Sequence, residues 1–424
     1  MRLTLLAVMA LALPAVASPP NIVLLSVDTL RADRLGCYGY ELDTSPNIDR
    51  FAEDGLIFDD AVCDVPLTNP SMSAMLTGRY PRLTGAVRNG LPAPEEFPTV
   101  TEMLQAAGYE TIGVQSNWTL RGELSDLDRG FDIYDDDLRQ RRWLIFRSER
   151  LADDVTDVTL ELLEERDESK PLFLWVHYTD PHAPYRHRRR FNPRGQSPRR
   201  LDQEEAVNVR YDSEVAFTDY HIGRLLDALP TDNTYILFVA DHGESLYEHG
   251  YLGHGRRVNH VSMHIPLIIR GPGIEPGRTS VPAQGVDVGP TLLGFAGLVP
   301  ADTMVGFDLI NDSVPEDRIR VIETYGGAVP RLPGARAMLS ARPPMRQAVM
   351  KDGCKLITGG GNAKLFHLDT DYYEEDDLAE KHPERLEELK ARIAEWNELV
   401  PQQDIDEVEL SAEDARALEA AGYL

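Results

Sequence analysis

The feature that most constrains the fold is a series of short, largely apolar segments separated by helical patterns. The segments 21–27 (NIVLLSV), 172–178 (LFLWVHY) and 234–240 (TYILFVA) have the length and composition of buried strands. Helical patterns occupy 151–166 and 207–229 between them. This alternation predicts an α/β fold with a large, mostly parallel sheet flanked by helices.

Further segments extend the alternation and then change its character. Before residue 300 we predict helices at 47–54 and 97–107, the latter closed by Gly108, and strands at 109–115 and 265–270. After residue 300 the pattern becomes one of short strands and turns, followed by a charged helix. These elements predict a small antiparallel sheet with a helix, at 319–323, 346–350, 354–358 and 381–397.

The first residues have the form of a secretory signal peptide. Arg2 precedes an apolar run from Leu3 to Val16, and Ala15-Val16-Ala17 has the small-x-small form of a cleavage site. The run is too short to span a bilayer comfortably, and no other long apolar stretch follows, so we predict no stable membrane insertion. We expect a signal peptide at 1–17, a catalytic domain at 18–300, a small C-terminal subdomain at 301–424, and a periplasmic or extracellular location.

The charge balance limits the partners that the chain can have. The formal net charge of −27 argues against general affinity for nucleic acid or anionic lipid. An anionic substrate would therefore need a local positive site, such as a bound metal. The basic stretch 186–200, RHRRRFNPRGQSPRR, is interpreted as a solvated lid or insertion, with steering of a polyanion as the alternative.

Two sequence features leave alternatives open. The three cysteines, Cys37, Cys63 and Cys354, allow one bridge between the first two, or three unpaired thiols. The triplet Asn117-Trp118-Thr119 fits a glycosylation sequon, although such triplets also arise by chance.

Polar residues follow directly after the apolar strands. Asp28, Asp180-Pro181-His182 and Asp241-His242 come at the ends of three predicted strands. Because the carboxyl ends of parallel strands share one edge of a sheet, these groups are expected at the same rim. Two carboxylates and an imidazole suit a divalent cation, whereas the alternative is a set of ordinary turn residues.

Thr68, in 65-VPLTNPSMSAMLTGRYP-81, is a candidate nucleophile. Asn69-Pro70-Ser71 predicts a helix start, so Thr68 would lie just before a helix N-terminus, where N–H groups favour an anion. A free threonine hydroxyl is a poor nucleophile, but a bound cation would activate it. The alternative is a hydroxyl that only caps the helix.

Several motifs together resemble the sulfatase family of the alkaline phosphatase superfamily. The stretches that carry the resemblance are NIVLLSVDTLRADRLGCYGY, PLTNPSMSAMLTGRYP, FVADHGESLYEHG, IPLIIRGPG and KLFHLDTDYYEEDDLAE, spanning about residues 20–400. The ending ALEAAGYL is similar to the tails of bacterial members with a threonine nucleophile.

The resemblance implies roles for individual residues. Asp28, Asp241 and His242 would bind one divalent metal ion (Mn, Mg, Ca or Zn), with Thr68 as nucleophile and fourth ligand. The resemblance also implies residues near the substrate: His182 beside the transferred group, His254 beside the leaving group, Asn89 against the substrate and Asn117 in the pocket lining. From the residues alone, His182 could instead fix its own loop, and Asn89-Gly90 is a good turn dipeptide.

Three positions depart from the family pattern. Thr68 stands where active sulfatases have a cysteine or serine that becomes formylglycine, so no formylglycine is expected here. Met72 replaces an arginine, which removes a positive partner for the anion. Thr29 replaces a second aspartate, which removes one charge from the metal sphere.

These departures shape the functional prediction. We predict a metal-dependent ester hydrolase with a covalent Thr68 intermediate, acting on phosphate monoesters, diesters or phosphonates in preference to sulfate esters. The substrate would be a small-molecule, glycan or lipid ester. The alternatives are a sulfuric ester hydrolase without formylglycine, a transferase of phosphoryl-linked head groups, and an inactive binding protein on the same scaffold. The oligomeric state is not predicted.

Overall fold

The computed structural model describes residues 18–138, 140–142, 146–326, 343–402 and 416. The predicted signal peptide, residues 1–17, lies outside the described residues, as does nearly all of the C-terminal tail. No helix among the described residues is long and apolar enough to cross a membrane.

A large mixed sheet forms the centre of the fold. Its eight strands, labelled with all others in chain order, lie in the order β13-β2-β12-β9-β1-β8-β4-β5. Their bounds are β1 Asn21–Val27, β2 Leu56–Phe58, β4 Glu110–Val114, β5 Ile133–Asp135, β8 Leu172–Tyr178, β9 Thr234–Ala240, β12 Leu267–Arg270 and β13 Gly277–Thr279. Short paired strands complete this half: β3 Ala61–Val62, β6 Gln140–Arg142, β7 Phe146–Glu149, β10 Ser245–Leu246, β11 Leu252–Gly253 and β14 Ala283–Gln284.

Three parallel strands occupy the middle of the sheet. β1 pairs with β8 on one side and β9 on the other, and Val27 lies opposite both Tyr178 and Ala240. Both faces of these strands are buried, which explains their nearly continuous apolar sequences. The predicted strands 21–27, 172–178 and 234–240 are confirmed, and the three strands end level with one another.

The outer strands make the sheet mixed. β12 runs antiparallel to both β9 and β2, while β13 pairs with β2 in parallel. The segment 265–270 was expected to add a strand, and it does so over Leu267–Arg270.

Helices pack around the strands, and those predicted at 47–54, 97–107, 151–166, 207–229 and 381–397 are confirmed, while several shorter helices were not predicted. Their bounds are α1 Pro46–Glu53, α2 Thr68–Thr77, α3 Pro81–Thr84, α4 Val100–Ala106, α5 Gly122–Ser125, α6 Ala152–Glu165, α7 Gln203–Ala228, α8 His260–Met263, α9 Val288–Phe295 and α10 Pro383–Leu399. Gly108 follows α4 with φ of 93°, a left-handed conformation that terminates the helix and suits glycine.

The second sheet is small and antiparallel, as predicted. β15 (Arg320–Thr324), β16 (Arg346–Lys351), β17 (Cys354–Thr358) and β18 (Lys364–His367) pair in sequence order. Buried residues of α10 pack against these strands in one apolar cluster: Val321, Val349, Leu356, Leu365, Leu389 and Ile393. The domain boundary near residue 300 stays a prediction.

The structure also decides two open points. The cysteines Cys37, Cys63 and Cys354 are all free. The basic stretch 186–200 is not wholly solvated, because several of its arginines face inward. Arg194 contacts the fully buried carboxylate of Asp212 at 2.5 Å, and Arg186 pairs with Glu149.

A buried ion pair ties the small sheet to the main domain. Lys355 Nζ, on β17, lies 2.7 Å from Glu374 Oε1 and 2.5 Å from the carbonyl oxygen of Val258. Both charged side chains are almost fully buried. Removing one partner of such a pair leaves the other charge buried and uncompensated.

We therefore expect Lys355→Met to lower the free energy of unfolding by about 3–5 kcal/mol, measured by urea denaturation. Lys351→Met is the matched control, because Lys351 lies on the neighbouring strand and pairs with the half-exposed Asp352 at 3.3 Å. Its loss should stay below about 1 kcal/mol. Equal losses in the two variants would contradict the importance of the buried pair.

Candidate active site and metal centre

The level ends of the central strands bring the predicted metal ligands together. Asp28 follows β1 and donates its backbone N–H to the carbonyl oxygen of Tyr178 at 2.8 Å. Asp241 follows β9 and donates its N–H to the carbonyl oxygen of Val27 at 3.3 Å. The sheet ladder thus continues into the site, and residues more than 200 positions apart become neighbours.

The carboxylate of Asp241 is oriented by backbone donors. Its Oδ1 accepts hydrogen bonds from the N–H groups of His242 at 2.7 Å and Thr29 at 3.1 Å. Thr29 has φ of 56°, in the left-handed region that β-branched residues rarely adopt. This unusual backbone conformation turns the Thr29 N–H towards Asp241, and Oδ2 is left for another partner.

The ligand atoms of Asp28, Asp241 and His242 form a buried cluster. They all lie within 4.8 Å of one another, and His242 Nε2 is 3.5 Å from Asp241 Oδ2 and 3.9 Å from Asp28 Oδ1. These three atoms have no hydrogen-bond partner in the described part of the chain. His242 Nδ1 faces the carbonyl oxygen of Gly243 at 2.9 Å, so Nδ1 carries the hydrogen and Nε2 presents a lone pair.

The electrostatics of the cluster fit a cation. Burial, followed by repulsion from Asp241, raises the pKa of Asp28 well above its usual value. Burial also raises the pKa of Asp241 to about 7 and lowers the pKa of His242 to about 4. Buried carboxylates of like charge are unfavourable without compensation, and a divalent ion would supply it. Two carboxylate oxygens and one imidazole nitrogen are a suitable donor set for such an ion.

The Thr68 hydroxyl completes this arrangement. The helix α2 begins at Thr68, one residue earlier than the sequence predicted, and Leu67 is the N-cap. The buried Oγ1 of Thr68 has no hydrogen-bond partner among the described residues, but it lies close enough to Asp28 and Asp241 to lower the pKa of both carboxyls, against the larger opposing effect of burial. Ser71 Oγ donates to the carbonyl oxygen of Asp241 at 2.6 Å and fixes α2 against the strand end.

Asn89 also supports the start of the α2 helix. Its Oδ1 accepts the N–H of Asn69 at 3.1 Å, while its Nδ2 is buried without a hydrogen-bond partner among the described residues. This leaves an amide donor free beside the start of α2, next to Thr68. Met72, in contrast, is fully buried in the apolar core, so this position offers no positive charge.

His182 and His254 form a pair near the cluster. Their Nε2 atoms are 3.2 Å apart, and the ring of His254 lies 4.4 Å from that of His242 between centroids. His182 Nδ1 faces the carbonyl oxygen of Ala183 at 2.7 Å, and His254 Nδ1 faces that of Pro66 at 3.1 Å. The structure therefore brings both predicted histidines together beside the metal ligands.

Asn117 lies against Asp28, one of the predicted metal ligands. Its Nδ2 donates to Asp28 Oδ2, although the sequence only predicted a residue of the pocket lining. The side chain is 6% exposed and its amide is engaged, so the sequon is not available for glycosylation in the folded chain.

The Asp180 carboxylate is held by polar groups outside the cluster. Asp180 accepts hydrogen bonds from Arg188 at 2.7 Å and from the N–H of Ala152 at 3.0 Å. Asp28, Asp241 and His242 are the only group of three or more metal-binding side chains found in the described ranges.

Glu244 lies near the cluster but was not predicted as a site residue. It is fully buried, three residues after Asp241, and its charge raises the pKa of Asp28 and adds to the negative field of the cluster. Burial raises the pKa of Glu244 itself to about 8. Its place in the FVADHGE stretch was the available signal.

Replacing Asp241 tests the metal centre. Asp241→Asn retains Oδ1 and its two backbone donors but removes one buried charge. We expect the metal-free protein to gain about 1–3 kcal/mol of stability because one poorly solvated charge is gone. We expect Mn²⁺ to raise the melting temperature of the wild type but not that of Asp241→Asn, as followed by calorimetry. A variant that still responds to Mn²⁺ like the wild type would contradict the ligand assignment.

The chain is similar in sequence to known sulfatases. The Sulfatase family model matches residues 20–298. The N-acetylglucosamine-6-O-sulfatase of Bacteroides thetaiotaomicron is 28% identical over 408 residues, with 70% of this chain and 73% of that protein covered. Arylsulfatase A of Homo sapiens is 29% identical over 361 residues, with 70% and 68% covered.

Solved structures share the fold. A structure from work on glycosaminoglycan metabolism by Bacteroides thetaiotaomicron has a TM-score of 0.75 at 20% identity, covering 91% of this chain and 97% of that one. The phosphonate monoester hydrolase of Agrobacterium radiobacter has a TM-score of 0.70 at 19% identity, covering 93% and 99%. The chain therefore belongs to the sulfatase family, within the alkaline phosphatase superfamily, and is a hydrolase of sulfuric or phosphoric esters.

Proposed function

We propose that the chain is a metal-dependent hydrolase that forms a covalent ester on Thr68 and acts preferentially on phosphoryl esters. The observation that carries this proposal is the buried Thr68 hydroxyl, which faces Asp28 and Asp241 at the start of α2. A hydroxyl that only capped the helix would accept a nearby N–H, whereas the buried Thr68 Oγ1 has no hydrogen-bond partner among the described residues.

The protein ligands of the proposed metal are Asp28, Asp241 and His242, with Thr68 beside them. A divalent cation (Mn, Mg, Ca or Zn) held there would supply positive charge that lowers the pKa of the Thr68 hydroxyl and polarises the ester. The oxygen-rich donor set with one imidazole favours Mn or Mg.

Thr68 is the group that attacks. The Thr68 hydroxyl gives up its proton to solvent, and Oγ1 forms a bond to phosphorus while the bond from phosphorus to the leaving alcohol oxygen breaks on the opposite side; that oxygen takes a proton from the His182–His254 pair. Water then attacks the phosphorus of the Thr68 ester and returns a proton to the pair, and Oγ1 leaves and regains its proton from solvent. The free N–H groups and positive end of α2 favour an anion at this place throughout the reaction.

His182 and His254 are the proposed general acids. Each Nδ1 faces a carbonyl oxygen and must carry a hydrogen, so a hydrogen bond between the two Nε2 atoms needs one further proton on the pair. That proton is suited for transfer to the leaving alcohol. Asn89 would contact the bound ester through its Nδ2.

The single hydroxyl of threonine favours phosphoryl substrates. A formylglycine hydrate sheds sulfate by elimination, because its second hydroxyl lies on the same carbon. A Thr68 ester lacks this route and must be resolved by attack at sulfur or phosphorus. In-line attack at phosphorus is well served by nearby positive charge.

A sulfuric ester hydrolase without formylglycine is the second candidate. The sequence relatives named above are sulfatases, which favours sulfate esters. For either chemistry, we propose a small-molecule, glycan or lipid ester as substrate. We also propose export of the chain to the periplasm or the cell exterior, on the basis of the signal-peptide pattern at residues 1–17.

Thr68→Ala should lower kcat by about a thousandfold or more, because no other hydroxyl is proposed to attack. The melting temperature should change little, since the β-carbon and the helix remain. Thr68→Ser is the matched control and should retain part of the activity, because it keeps the hydroxyl. Turnover by Thr68→Ala at the wild-type rate would refute the nucleophile.

A substrate panel separates the two chemistries. Aryl phosphate monoesters, diesters, phosphonates and sulfates that share one leaving group should be compared by kcat/KM at equal metal concentration. We expect at least one phosphoryl substrate to exceed the sulfate by about tenfold or more, a difference of about 1.4 kcal/mol in barrier. Preference for the sulfate would instead establish the second candidate.

A further inference from the structure

We propose that Asn117 is a positioning residue for the metal centre, and that Thr119 holds its amide in the working orientation. The inference rests on the proposed function, because it assumes a cation at Asp28, Asp241 and His242. It changes the role of Asn117 from substrate contact to the fixing of one metal ligand.

The first piece of evidence is that both Oδ1 and Nδ2 of the Asn117 amide are hydrogen-bonded. Asn117 Oδ1 accepts hydrogen bonds from the N–H of Thr119 at 2.8 Å and from Thr119 Oγ1 at 2.9 Å. An oxygen accepts from both of these donors, whereas an NH₂ group could not. The amide nitrogen is therefore turned to the other side, where it donates to Asp28 Oδ2.

The second piece of evidence is that backbone and side-chain contacts fix the position of Asn117. Asn117 is buried and forms a β-bridge with Glu149, and the adjacent Ser116 accepts the N–H of Arg150 at 3.0 Å. Ser116 Oγ also contacts Thr179 Oγ1, just beyond the end of β8, at 2.7 Å. These contacts with Glu149, Arg150 and Thr179 hold the Asn117 backbone in place next to Asp28.

The consequence concerns the two oxygens of Asp28. Oδ2 is engaged by Asn117, whereas Oδ1 is buried without a hydrogen-bond partner in the described residues and lies in the cluster with His242 Nε2. The amide thus selects the oxygen that is presented to a cation.

The test is the affinity of the metal-stripped full chain for Mn²⁺, measured by isothermal titration calorimetry well below the melting temperature. Asn117→Ala removes the donor and should raise the Kd about 10- to 100-fold. Asn311→Ala is the matched control, because Asn311 Nδ2 donates in the same way to Asp308 Oδ2, at 2.7 Å, outside the cluster. Its Kd should equal that of the wild type.

A second pair of variants tests the orientation without touching Asn117. Thr119→Val removes the hydroxyl that holds Oδ1 and should raise the Kd about threefold or more, whereas Thr119→Ser keeps the hydroxyl and should restore wild-type affinity. A purely structural role would lower the melting temperature of the metal-free chain in both Asn117→Ala and Thr119→Val without changing the Kd.

The outcomes separate this inference from the function on which it rests. If the wild type binds Mn²⁺ and Asn117→Ala binds it with a Kd changed less than about threefold, the positioning role is wrong and the metal centre stands. An equal loss in Asn311→Ala would likewise overturn the positioning role, since it would indicate a general effect on stability. If the wild type itself binds no divalent ion, the proposed function fails first.

Discussion

The site depends on the burial of two carboxylates of like charge at the ends of adjacent parallel strands. Asp28 and Asp241 are both fully buried, and the desolvation that follows opposes their ionisation. A chain gains nothing in stability from such a pair unless a positive partner compensates it. The imidazole of His242 presents a lone pair and not a charge, and under the proposed function a bound divalent cation would compensate the two carboxylates. This constraint links the strand register, the α2 helix and the proposed chemistry.

Much of the fold was predictable because burial leaves a simple pattern. Strands covered on both faces must be apolar throughout, so 21–27, 172–178 and 234–240 could be bounded to the residue. Asp28 and Asp241 were predictable for the same reason, since a polar residue directly after such a strand must lie at the rim. The short strands Leu56–Phe58 and Gly277–Thr279 were missed, because three residues carry too little periodicity.

Roles that depend on long-range polar contacts were not predictable. Asn117 contacts an aspartate 89 positions away, and nothing in its local sequence indicates that its amide would be used there. Lys355 and Glu374 are a second example. Charged residues are usually exposed, but these two form a buried ion pair. The prediction that the basic stretch 186–200 is solvated was wrong in part. Its composition could not reveal that Arg194 pairs with the buried carboxylate of Asp212.

The departures from the family pattern are mutually consistent. Under the proposed function, Thr68 provides the attacking oxygen and no formylglycine is expected. Met72 lies in the apolar core, at a position where the sequence resemblance implies an arginine. Thr29 stands where the sequence resemblance implies a second aspartate. Asn117 places a neutral hydrogen-bond donor on the remaining ligand candidate Asp28.

The most direct test of this account is a crystal structure of the full chain grown with Mn²⁺, analysed by anomalous diffraction. The account predicts one manganese ion within bonding distance of Asp28, Asp241 and His242, with the Thr68 oxygen beside it. An ion bound elsewhere, or a Thr68 hydroxyl turned away from an occupied centre, would contradict it.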